Sequence, residues 1–217
     1  MRVSGIRVGL WSLAGLLAVV ISAMLVNASW AQTTDVTRIE EDWELVITEP
    51  SPNSDAPQVT CLIAPVANVA SLYATFIVNH HDVPYFIAGG LQQQAWNGKT
   101  LLASKRYPDQ AVLTTPGETI RWTQVMRLAD DGLVFEVVNG ESTTWGAFGG
   151  EGTIKITVST ALTNLNGYNP AVSVEHSGAS FAANRVQSLV LKRVRAYGAA
   201  GLITEDRTAR VVHSLNE

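Results

Sequence analysis

Apolar and polar residues alternate with a period of two along much of this 217-residue chain, and that pattern constrains the fold more than any single motif. Trp43, Leu45 and Ile47 alternate with Asp42, Glu44 and Val46, and Leu72, Ala74, Phe76 and Val78 with Tyr73, Thr75 and Ile77. Ile120, Trp122, Met126 and Leu128 share a face opposite Thr119, Arg121, Thr123 and Arg127. Leu133, Phe135 and Val137, then Ile154, Ile156 and Val158, repeat the pattern. Successive side chains of a strand point to opposite sides of its sheet, so each run predicts a half-buried strand. Their Thr, Val and Ile content agrees.

Turn chemistry joins the runs. Ala129-Asp130-Asp131-Gly132 predicts a hairpin, Asn139-Gly140 predicts a second, and Asn166-Gly167-Tyr168-Asn169-Pro170 predicts a surface turn. The stretch Val186 to Tyr197 fits a helix through Val186, Leu189, Val190, Val194 and Tyr197. It also fits a strand that continues into a glycine-containing turn and a further strand over 194–203, which is the preferred reading. Many strands with few helices imply two packed antiparallel sheets, an all-β sandwich.

The N-terminal 31 residues follow a different grammar. Arg2 and Arg7 precede an uncharged run from Val8 to Val26, and Ser29 and Ala31 supply small residues after it. This pattern predicts a secretory signal peptide over residues 1–31, followed by one exported sandwich domain over residues 32–217. If the segment is retained, 19 uncharged residues could instead anchor the chain in a bilayer, and this is the only membrane contact expected.

Cleavage would leave 13 basic against 19 acidic residues, a net charge of −6. That balance, without a basic cluster, excludes non-specific nucleic-acid binding. One cysteine excludes an internal disulfide framework and any Cys-based metal centre. In Val59-Thr60-Cys61-Leu62-Ile63, alternation places Cys61 beside Val59 and Ile63 as a core residue.

The strand order, the Gly-rich hairpins and the late run Asn184-Arg185-Val186-Gln187-Ser188-Leu189-Val190-Leu191 resemble a concanavalin A-like (lectin/glucanase) jelly-roll sandwich. Within that fold, Leu91-Gln92, Tyr107-Pro108, Pro116-Gly117-Glu118-Thr119-Ile120 and Val174-Glu175 are similar to motifs of the glutamic peptidases. The resemblance implies Gln92 and Glu175 as catalytic residues, the carboxylate activating water and the amide polarising the scissile carbonyl. Val83-Pro84-Tyr85-Phe86 and Lys105-Arg106 depart from that family's pattern.

Glu40, Asp42 and Glu44 form Glu-x-Asp-x-Glu, the pattern of glucanases with the same sandwich. A strand puts all three on one face, as a two-carboxylate mechanism needs. Glu41 between them and the nearness to residue 32 predict instead a solvated, acidic edge strand. His80-His81-Asp82 predicts a loop, because neighbouring strand residues diverge, and Asp130-Asp131-Gly132 lacks the later oxygen ligands of a calcium loop. No pattern calls for a metal or a cofactor.

Trp96-Asn97, Trp145 and Tyr168-Asn169 place rings among amides and glycines, a combination suited to sugar faces and hydroxyls. They are the expected ligand-binding residues of a non-catalytic module for a polysaccharide or another envelope component. A peptidase using Gln92 and Glu175, or a surface protein with a purely structural role, is the alternative.

Overall fold

In the computed structural model the described residues are 34–48, 57–80, 90–107, 111, 113–150 and 152–215, all within the unit Thr34–Glu217. The expected two-sheet antiparallel sandwich is present. Its strands are β1 (Arg38–Ile47), β2 (Gln58–Ile63), β3 (Leu72–Asn79), β4 (Gly90–Asn97), β5 (Thr100–Tyr107), β6 (Thr119–Ala129) and β7 (Gly132–Ser142). They are followed by β8 (Gly146–Phe148), β9 (Ile154–Val158), β10 (Gly178–Phe181), β11 (Val186–Gly198), β12 (Gly201–Asp206) and β13 (Arg210–Ser214). Among the described residues one α-helix, α1 (Pro170–His176), precedes β10.

The larger sheet runs β12-β11-β1-β6-β7-β8, with β13 also paired to β11 and β9 also paired to β7. The smaller sheet runs β10-β2-β3-β4-β5. The inward faces are the alternating apolar sets read from the sequence. Leu45, Ile120, Phe135 and Leu189 of one sheet meet Val59, Cys61, Phe76 and Leu91 of the other, all of them buried. Trp43 and Trp122 are register partners across β1 and β6, their rings stacked at 6.4 Å, and Phe76 meets Trp122 edge-on at 5.6 Å. A large apolar side chain taken wholly out of water contributes about 1.5–3 kcal/mol, so these rings weld the two sheets at their centre.

Val186 to Gly198 forms a strand, and the turn after Gly198 leads into β12, as preferred from the sequence. Asp130 and Asp131 close the β6–β7 hairpin. Asn139-Gly140 behaves differently from expectation. Arg121 pairs with Glu141 and Thr123 with Val138, so two residues of β7 stand opposite the single Trp122. The pair makes a β-bulge inside β7, not a hairpin, with Asn139 at φ 54°. A left-handed Asn followed by Gly suits either device; here β6 continues beyond the bulge and keeps β7 paired to it.

The second correction concerns β1. It is a central strand, flanked by β11 and β6, not a solvated edge. Sandwich strand order is not sequence order, so a strand early in the chain can be enclosed by partners some 80 and 150 residues later. Helix α1 was not foreseen. Asn169 caps it, its side chain accepting from the Ala171 N–H at 3.0 Å, and Pro170 takes the first turn where no N–H is needed. The helix lies along β2 beyond the end of β10, and the Ser177 hydroxyl after it accepts from the Leu62 N–H at 2.8 Å.

Candidate functional site: an ion-paired face on the larger sheet

The strand β1 separates four acidic residues by alternation. Glu40, Asp42 and Glu44 point to the outer face, and Glu41 points inward with Ile39 and Trp43. The outward three meet cations from both neighbouring strands. Arg121 on β6 donates from Nε to Glu44 Oε2 at 2.8 Å, and Lys192 on β11 donates to Glu44 Oε1 at 3.3 Å. Asp42 Oδ2 accepts from Arg193 Nε at 2.6 Å, and its Oδ1 accepts from Arg195 Nη2 at 2.9 Å and the Thr123 hydroxyl at 2.8 Å. Glu40 pairs with Arg38 and with Arg195, and also accepts from the Tyr197 hydroxyl at 3.0 Å.

A bulge in β11 makes this density of charge possible. Asp42 is opposite Arg193 but Trp43 is opposite Leu191, so Lys192 is the extra residue. The bulge re-aims the side chains, and two consecutive cations reach carboxylates on the same face. Arg193 also bonds Glu205 of β12, to which Arg207 is paired in turn. A groove of about 530 Å³ runs over this face, lined by Asp42, Glu44, Arg121, Asn139, Lys192 and Arg207 among others.

Charge explains the titration of the group at one end. Burial pushes the Glu44 carboxyl up, and the bonds from Arg121 and Lys192 outweigh it, holding the group below its usual range. All six oxygens of Glu40, Asp42 and Glu44 accept at least one hydrogen bond or ion pair from the protein.

The inward acid makes a second polar cluster. Glu41 is fully buried, and its carboxylate accepts from the Tyr168 hydroxyl at 2.7 Å, Ser173 Oγ at 2.5 Å and Trp43 Nε1 at 3.1 Å. Burial raises its pKa to about 7, against the pull of those three bonds and of Arg210. Cys61 lies nearby, as buried as its alternation predicts. Burial and the Glu41 charge push its thiol well above the ordinary range.

The residues singled out from the sequence occupy separate places. Gln92 is on the outer face of β4, where its amide donates to Ser104 Oγ at 2.8 Å, while Gln93 turns into the core. Glu175 is exposed on α1, which packs against β2. The strands β2 and β3 lie between that edge and β4, at ~4.8 Å per strand, so the structure does not bring the two together.

Trp96 stacks on Tyr73 with ring centres 6.5 Å apart, and Asn97 is exposed beside it at the end of β4. Trp145 packs on Phe148 and donates its indole N–H to the buried Glu118 at 2.5 Å. Tyr168 is engaged by Glu41 and Asn169 by the helix cap. His81 and Asp82 lie outside the described residues, as do Pro108 and the stretch 83–86. Among the described residues no group of three or more His, Cys, Asp or Glu side chains is arranged to hold a metal ion.

Sequence reasoning missed the cations of this face. Alternation on β6 had placed Arg121 outward, but Lys192, Arg193 and Arg195 fall on a bulged strand where simple alternation fails. Their partners are some 150 residues away. No protein-family model and no curated protein matches the chain.

Proposed function

We propose that this chain is an exported, non-catalytic β-sandwich module that binds a glycan through the groove on the outer face of its larger sheet. The observation that carries the reading is the saturation of Glu40, Asp42 and Glu44. The three carboxylates that a glucanase-like sandwich would use for catalysis are committed to fixed cations. What remains is a shallow cleft, of a size usual for ligand sites, lined by oriented N–H donors and by Thr123 and Asn139. Oriented planar donors suit the hydroxyl and ring oxygens of sugars. Export rests on the sequence of residues 1–31, and the concanavalin A-like resemblance agrees with a glycan as ligand.

A panel of immobilised envelope polysaccharides, probed with the full chain, tests this. Retention on at least one glycan without release of reducing ends is expected, and it should weaken in Arg121→Gln and Arg193→Gln variants that melt as the parent does. Absence of binding throughout the panel, or hydrolysis that is lost in Glu44→Gln, would overturn the proposal.

A further inference from the structure

The charges of the groove are layered, and the layering selects the ligand. Six cations, Arg38, Arg121, Lys192, Arg193, Arg195 and Arg207, are paired to four carboxylates, Glu40, Asp42, Glu44 and Glu205. The carboxylate side chains are recessed, with exposures of 7% for Glu40 and 19–23% for the other three. The cations stand above them: Arg207 is 75% exposed, Arg121 60% and Lys192 47%. A ligand approaching Lys192 or Arg207 therefore meets ammonium and guanidinium N–H groups before the carboxylates they are paired to, whereas beside Arg121 the exposed Glu141 of β7, its register partner, shares the surface. These paired groups carry two more positive than negative charges, and one more when Glu141 is counted, in a chain whose formal net charge is −4. From these observations, and resting on the glycan-module reading, we infer that the ligand is an acidic polysaccharide whose sugar carboxylates dock on Arg121, Lys192 and Arg207.

The physical reasons are three. First, the recessed carboxylates hold the cations in place before the ligand arrives, so little side-chain entropy is lost when it docks. Arg121 uses Nε and Nη2 on Glu44 and keeps further N–H donors for solvent. Second, a guanidinium binds a carboxylate through parallel N–H···O bonds that a neutral hydroxyl cannot match in strength. Third, the cations are spread along the strand. Arg121 and Lys192 flank Glu44, and Arg193 and Arg195 reach Asp42 two residues away, about 7 Å along β1. A polymer carrying one charge per repeat can engage both clusters at once, which raises its apparent affinity over a single sugar acid.

The test compares polygalacturonate and alginate with a neutral xylan by calorimetry, using the full chain at about 20 and 200 mM salt. Polyuronate binding at least tenfold tighter than that of xylan is expected, and it should fall steeply with salt as screening shortens the reach of the cations. Arg207→Gln and Lys192→Gln should each weaken polyuronate binding severalfold, and by a larger factor than any weak xylan binding, while Glu205→Gln should preserve or strengthen polyuronate binding. Thermal melting of each variant separates lost binding from lost folding.

Equal, salt-insensitive binding of xylan and polyuronate would overturn this inference and leave the glycan module standing. Binding of poly-glutamate as tight as that of polyuronate would overturn the acidic-sugar assignment. Failure of all these glycans to bind would overturn the acidic-sugar inference, and the module reading would fall only if the envelope panel also failed.

Discussion

Replacing Glu41 by glutamine isolates the energetic cost of the one acid that β1 points inward. In the fold this carboxyl titrates at about 7, raised by burial, whereas an exposed glutamate titrates near 4.5. The folded state therefore holds a proton more tightly than the unfolded chain. The fold feels no penalty from this group below the unfolded value. It loses stability as pH rises from there through the folded pKa, and carries the full cost above it.

Each pH unit between the two values is worth about 1.4 kcal/mol, so the fold should lose about 3 kcal/mol through this residue between roughly pH 4 and pH 8. Glutamine keeps the shape and cannot ionise. Its carbonyl can occupy the place of Oε1, which accepts from both Tyr168 and Ser173. Its NH2 then faces Trp43 Nε1, a donor against a donor, at a cost of about 1–3 kcal/mol.

The measurement is urea unfolding of parent and Glu41→Gln across that pH range. The difference in stability should swing by about 3 kcal/mol in favour of the variant as pH rises, and most of the swing should fall between pH 4.5 and 7. A variant that is uniformly weaker would show only the lost Trp43 bond. Stability curves that stay parallel from acid to alkaline pH would refute the reasoning, because the parent would then bury no titrating carboxyl.

Three further outcomes are expected. Gly140→Ala should destabilise by about 1–3 kcal/mol, because a Cβ there would lie 2.4 Å from the Phe148 carbonyl oxygen and 2.5 Å from its ring; an unchanged melting temperature would show that β7 and β8 can part freely. Asn169→Ala should cost about 1 kcal/mol by uncapping α1, whereas Asn169→Asp should retain most of the stability, both read by thermal denaturation. Cys61 should resist a thiol-specific reagent in the native protein and react once urea unfolds it, since it is buried and its thiol is pushed well above the usual range; prompt native labelling would place it at the surface.

What the sequence made legible, and what it did not, divides along a physical line. Alternation depends only on neighbours in the chain, so the inward faces of β1, β3, β6, β7 and β9 and the placement of Cys61 could be read directly. The Asp130-Asp131 hairpin is equally local. Strand order depends on contacts between distant residues, and here one sequence misled. Glu-x-Asp-x-Glu implied an edge, because Glu41 interrupts the motif and the motif lies close to residue 32, and the partners Arg121, Arg193 and Arg195 could not be assigned. Bulges cause the second kind of miss. Asn139-Gly140 has the backbone preference of a hairpin turn, and Lys192 breaks the alternation that would have revealed a cationic face. The aromatic residues were visible as aromatics, but Trp145 and Tyr168 each carry a donor that a buried acid distant in the chain accepts, so their roles follow from Glu118 and Glu41.

The same strand thus uses its carboxylates in two opposite ways, and the difference bears on function. Glu41 has neutral donors about it, and the Arg210 charge lowers it less than any of them, so burial dominates and the group is drawn toward its protonated form. Glu44, on the opposite face and three residues away, is flanked by Arg121 and Lys192, whose bonds and charges outweigh burial and keep the group ionised. A glycosidase needs both kinds of carboxyl on one accessible face, one able to give a proton and one able to attack or activate water. In this sandwich the carboxyl drawn toward its protonated form, Glu41, is inside and Glu44 is outside, separated by the pleat of a single strand. No rotation of a side chain can exchange them, because a strand's alternation fixes which face each residue serves. The backbone of β1 therefore keeps the Glu44 face and the Glu41 face apart, and each carboxyl answers only to the groups packed on its own side.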